Sequence, residues 1–210
     1  MKRTITTLCT MVCMAVCHAQ DATTTSLTAY QSFKPAMIYM SSGKTIRNMF
    51  TNVFLKNAAL LYKQGDKTME ANMETILGVD FDDRKYININ GQLAAVLDTV
   101  GQNVLYAITL IDVDAYNQML RNNVNITNLS LSDQMSYSTI DLTPQEGQEL
   151  PVINIFYYLY KGKLVRVHER EISRLLSKEQ KRRYKTIMSL PDFKWTDRES
   201  LVKMLKAISE

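Results

Sequence analysis

Hydrophobic and polar positions divide the 210-residue chain into stretches of different period. An almost unbroken apolar run occupies residues 5–16, short apolar or alternating runs take over from residue 33, and beyond residue 172 apolar positions recur at helical spacing. The middle stretch holds AMIYM (36–40), NVFLKN (52–57), ALLYK (59–63), KYININ (85–90), LAAVLDT (93–99) and VLYAITLIDV (104–113), each of strand length and rich in β-branched or aromatic residues. Between them stand SSGK, QGDK, INGQ and TVGQN, whose glycines supply the positive φ of tight hairpin turns. The pattern predicts an antiparallel, hairpin-built sheet forming a sandwich or barrel-like body.

Residues 114–123 (DAYNQMLRNN) predict a short helix, and the Ser/Thr/Asn/Gln-rich residues 128–149 a long polar loop. The segment INIFYYLYKGKLVRVHE (153–169) alternates on both sides of Lys161-Gly162 and predicts one more hairpin. In it Phe156, Tyr158 and Tyr160 share one face, which we assign to core packing over sugar stacking, and Ile155, Tyr157 and Leu159 make the other face apolar too. A strand apolar on both faces belongs inside a sheet.

After residue 172 the period becomes helical. Ser177 and Gln180 have capping-box spacing, and Leu176, Gln180, Tyr184, Ile187 and Met188 fall on one face of a helix that must end by Pro191. Thr196 and Glu199 open a second helix, striped by Leu201, Met204, Leu205 and Ile208. The expected class is therefore α+β: a β-rich domain over residues 33–171 and a C-terminal pair of amphipathic helices over residues 172–210. Residues 20–32, polar and without period, read as a flexible lead-in.

The apolar run near the start changes the picture from fold to location. Lys2 and Arg3 precede it and Cys17-His18-Ala19 follows it, the layout of a secretory signal peptide over residues 1–19 with cleavage after Ala19. No other segment approaches the roughly 20 apolar residues of a membrane span. A lipid anchor on Cys17 needs a small residue before it, and Val16 there disfavours one. Cys9, Cys13 and Cys17 are the only cysteines, so the processed chain has no thiolate nucleophile, disulfide or cysteine metal site. Charge is divided: residues 20–160 carry 9 Lys+Arg against 14 Asp+Glu, net −5, and residues 161–210 carry 14 against 7, net +7.

These runs together, AMIYMSSGKTI, NAALLYKQGDKTMEANM, GVDFDDRKYI, FYYLYKGKLVRVHE and LLSKEQKRRYKTIMSLPDFKWTDRESLVKMLKAI, resemble a group of uncharacterised exported proteins of Bacteroidetes-type bacteria. The resemblance covers roughly residues 33–210 and rests on hydrophobic spacing and turn positions. It implies this layout and an envelope location, and it brings no catalytic residue.

Candidate chemistry is sparse. MSSGKTI (40–46) ends like a phosphate-binding loop, but the required first glycine is Ile38, no capped helix follows, and an exported chain meets no ATP; a hairpin turn over residues 41–44 explains it. Each of VDFDDR and IDVDAY holds an Asp-x-Asp, yet counting from Asp80 the glycine and glutamate of a calcium loop are replaced by Lys85 and Gly91. His168 is the one histidine after processing and lies in VHERE, which lacks zinc-protease spacing; we read it as a surface or half-buried strand residue. Asp98-Thr99-Val100 resembles the Asp-Ser/Thr-aliphatic O-glycosylation signal of exported Bacteroidetes proteins, with Thr99 at a predicted turn, and Asn125 and Asn128 begin N-glycosylation patterns. The most basic stretch is KEQKRRYK (178–185), where Lys178, Lys181, Arg182 and Lys185 gather on a face partly opposite the apolar stripe and suit an anionic partner.

No cofactor or metal is expected. The reading is an exported envelope protein that binds another envelope protein or an anionic surface without catalysing a reaction, and not nucleic acid, for which no reading motif is present. The alternatives are a carboxylate-dependent hydrolase of cell-wall or glycan material and a peripheral lipid-binding module.

Overall fold

The computed structural model describes residues 23–122 and 149–210. The expected signal peptide with Cys17 and Ala19, the two N-glycosylation patterns and the expected polar loop up to residue 148 lie outside the described residues.

Hairpins dominate, as alternation predicts. The strands are β1 (Thr23–Thr24), β2 (Lys34–Met40), β3 (Thr45–Phe54), β4 (Ala59–Gln64), β5 (Lys67–Glu70), β6 (Ile76–Phe81), β7 (Arg84–Ile89), β8 (Gln92–Val100), β9 (Asn103–Ile111), β10 (Leu150–Tyr160) and β11 (Lys163–Arg166). All pairings are antiparallel, in the order β1-β10-β9-β8-β7-β6-β2-β3-β4-β5, with β11 sharing an edge of β10 with β1. The SSGK turn joins β2 to β3: Gly43 has φ +80°, and Met40 donates its N–H to the Lys44 carbonyl at 2.9 Å. What resembled a phosphate loop is a hairpin.

The sheet curls into a half-barrel. Its curl brings the link after β3 onto β8 and β9, where Leu93 N–H donates to the Ala58 carbonyl and Ile111 N–H to the Leu55 carbonyl, both at 2.8 Å. Residues 23–30, expected to be a flexible lead-in, are tied down instead. β1 pairs with β10, Thr28 bridges Phe54, and Asn52, 1% exposed, exchanges hydrogen bonds with the Tyr30 backbone through both ends of its amide. The lead-in thereby connects β10 to the end of β3.

Register decides which residues face inward. Ala95 stands opposite Ala107 and Ala107 opposite Phe156, so alternate residues of β7 to β10 form the inner face. Toward β2 and β6 that face holds Ala36, Ile38, Val79, Phe81, Tyr86 and Leu93. Toward β9 and β10 it holds Leu105, Phe156, Tyr158 and Tyr160, buried beneath the C-terminal helices. The opposite face of β7 to β10 is also apolar, with Ile155, Tyr157 and Leu159 half-buried. β10 is thus an interior strand, and its aromatic run is core.

The helices are α1 (Val113–Asn122), α2 (Glu169–Leu175), α3 (Lys178–Met188) and α4 (Arg198–Ser209). The chain therefore closes with three helices where the pattern predicted a pair: α2, seven residues long, buries only Ile172 and precedes the expected ones. His168 is not a strand residue; its imidazole caps α2, accepting the Arg170 N–H at Nδ1 over 3.3 Å. The Ser177–Gln180 capping box forms as predicted, but α4 is capped by Asp197, one residue after Thr196, through the Ser200 N–H at 2.8 Å. That bond, first, and then the Ser200 hydroxyl and backbone N–H groups, hold the Asp197 carboxyl below its ordinary value despite partial burial. No described helix is long and apolar enough to cross a membrane.

Candidate functional site

Helix α3 has two unlike faces. Inward, Tyr184 is buried with its hydroxyl 3.4 Å from the Glu169 carbonyl, and Gln180 is bonded through both ends of its amide. Its Nε2 donates to Tyr160 Oη at 2.9 Å and to the Ile208 carbonyl at 2.8 Å, while Oε1 accepts the Ser177 N–H at 3.1 Å. The α4 end is anchored alike: Tyr158 donates its hydroxyl to the Leu201 carbonyl at 2.7 Å, and Tyr160 donates to Ile208 at 2.9 Å. Burial drives the Tyr184 hydroxyl up to about 12, with Glu169 adding to the effect, and pushes Tyr158 up strongly as well.

Outward, Lys178, Lys181, Arg182 and Lys185 are all exposed. At 3.6 residues per turn they fall within about 100° of the helix circumference, opposite Gln180, Tyr184 and Ile187. None of the four makes an ion pair with a described residue, whereas Arg183 reaches Glu179 at 3.6 Å and Glu210 at 3.9 Å. The basic stretch is thus sorted. One cation reaches Glu210, and four adjacent ones present a positive surface that no described carboxylate pairs.

The other predicted positions separate. Asp80 pairs with Lys85 at 3.3 Å and Asp83 with Lys34 at 3.1 Å, where the Lys34 and backbone hydrogen bonds overcome partial burial and hold the Asp83 carboxyl below its usual range. Asp112 accepts the Ala115 N–H at the start of α1. No three Asp, Glu, His or Cys converge on a metal-sized space among the described residues. Thr99 is exposed, but it lies within β8 opposite Val104, two residues before the turn at Gly101. Its neighbour Asp98 approaches Arg198 of α4 at 3.8 Å.

Sequence reasoning did not find the space inside the half-barrel. A cavity of about 220 Å³ lies between the lead-in and the inner face, floored by Ala95 and Ala107 and walled by Val53, Leu55, Leu93 and Val152. The exposed Arg84 also lines it, as do Thr24, Thr28 and Thr109. Only the register brings these residues together, and no spacing along the chain marks them. Comparison with protein-family models, with curated proteins and with solved structures gave no match.

Proposed function

We propose that this is an exported protein of the cell envelope that works by binding, and that the outer face of α3 docks on an acidic surface of another envelope protein. The observation that carries the reading is the row Lys178, Lys181, Arg182 and Lys185, exposed and without ionic partners among the described residues, beside an Arg183 that has two. Unpaired surface cations lose little solvation where they stand, and they favour encounter with an opposite potential. A protein fits better than a bilayer, since the apolar stripe of α3 packs on the C-terminal core, with Tyr184 buried and Ile187 and Met188 partly so, and the row of cations faces outward. Export rests on the leader at residues 1–19, and the resemblance to Bacteroidetes-type exported proteins agrees with it.

A carboxylate-dependent hydrolase has less support. A glycosidase acid needs a raised carboxyl, and the surroundings of Asp83 and Asp197 lower theirs.

The test is retention of residues 20–210 on immobilised poly-glutamate over a salt gradient, for the natural chain and a variant with Lys178, Lys181, Arg182 and Lys185 changed to Gln. The natural chain is expected to hold at low salt and elute as ionic strength approaches physiological values, and the variant to flow through. Anionic vesicles run in parallel should bind less. Equal retention of both chains would overturn the assignment to this face, and tighter vesicle binding would replace the protein partner with a lipid one.

A further inference from the structure

We infer that the cavity inside the half-barrel is a binding site for a small monoanionic amphiphile: an apolar body seated on Ala95 and Ala107, with its carboxylate at Arg84. Three observations converge. The first is shape, because two alanines face each other across β8 and β9 where larger side chains would fill the interior, leaving about 220 Å³. A dry apolar cavity of about 150 Å³ is enough to hold benzene, so this one accommodates a single ring or a chain of about eight carbons.

The second is the state of the polar groups in the wall. Thr28 donates its hydroxyl to the Tyr30 carbonyl at 2.8 Å and Thr109 donates to Asn154 Oδ1 at 2.7 Å. Thr24, also in the lining, donates to the Ser26 carbonyl at 3.4 Å, so three of the four lining threonines have their hydroxyl protons engaged within the protein. Those three threonines therefore offer no free hydroxyl proton to a ligand body.

The third is charge. Arg84 borders the cavity, is exposed, and makes no ion pair with a described residue, although its neighbours Asp80 and Asp83 are paired with Lys85 and Lys34. A planar guanidinium in the lining of the cavity matches a carboxylate through two parallel hydrogen bonds. Residues 23–30 close the cavity on one side, so the site is completed by the segment next to the expected start of the processed chain.

The experiment is titration of residues 20–210 with octanoate by calorimetry, beside methyl octanoate, for the natural chain, Arg84→Gln and Ala95→Leu, with each variant's fold verified by circular dichroism. Octanoate should give a saturable isotherm, weakened roughly tenfold by Arg84→Gln, the loss of one charge-assisted contact. Methyl octanoate should bind more weakly and ignore Arg84→Gln, and Ala95→Leu should weaken both ligands. If Ala95→Leu does not fold, Ala107→Val takes its place. No isotherm for the natural chain, or one changed by only one of the two substitutions, would overturn the site.

Discussion

The two faces of α3 use polar groups in opposite ways. On the inner face Gln180 places every polar atom of its amide against a partner, bonding Tyr160, Ile208 and its own N-cap, and the Tyr184 hydroxyl turns to a backbone carbonyl. On the outer face four cations stand without ionic partners among the described residues. The difference follows from solvent: a buried polar group left unpaired costs about 1–3 kcal/mol, whereas an exposed lysine is solvated and costs almost nothing. The inner face is consequently accounted for by folding. The outer face is not, and it is there that a function has to be sought.

This contrast makes ordered predictions. The largest effect should come from Tyr184→Ala, which opens a void between α3 and the strands and should destabilise the fold by about 3–5 kcal/mol in denaturant unfolding. Gln180→Ala should cost less, about 1–3 kcal/mol, because it frees the Ser177 N–H and strips one of two donors from the Ile208 carbonyl. An alkaline titration is subtler. The Tyr184 hydroxyl ionises near 12 in the fold and near 10 in the unfolded chain, so its contribution is complete below about pH 10 and is lost as pH rises toward 12. Tyr184→Phe should retain more of its neutral-pH stability over that window than the natural chain does. A like decline in both chains would assign the alkaline loss to other groups, with Tyr158, also raised by burial, the first to examine.

Much of the architecture was legible in the sequence, and the omissions have physical reasons. Hairpins and helix stripes emerge from local alternation, so β2, β4 and β7 to β10 were readable, as were the capping box and the buried Leu201, Met204, Leu205 and Ile208. The first half of β3 was not: residues 45–50 are mostly exposed on both faces and carry no alternation to detect. β6 contains Gly78, where a Cβ would meet the Tyr86 carbonyl at 2.6 Å; glycine was demanded by a neighbouring strand, which local pattern does not register. Helix α2 is too short to establish a period, and its histidine cap has the composition of the hairpin before it. Thr196 and Asp197 are adjacent residues that both suit a cap, and only the Asp197 geometry settles the choice.

For the candidate sites the division is similar. Lys178, Lys181, Arg182 and Lys185 could be placed on one face from helical periodicity, because that is a property of a single element. The pairing of Arg183 with Glu210 joins residues from two elements and emerged only from the fold. The interior cavity is further still from local pattern. Ala95 and Ala107 read as ordinary strand residues until β8 and β9 align them, and the lead-in that encloses them has a composition that suggests no structure at all.

The central claim is that the outer face of α3 binds while the inner face only folds, and in-host crosslinking of the natural chain against the four-Gln variant tests it most directly. The account predicts one abundant crosslinked partner with an acidic surface, lost in a variant whose unfolding free energy stays within about 0.5 kcal/mol of the natural chain's. A partner captured equally by both chains would contradict it.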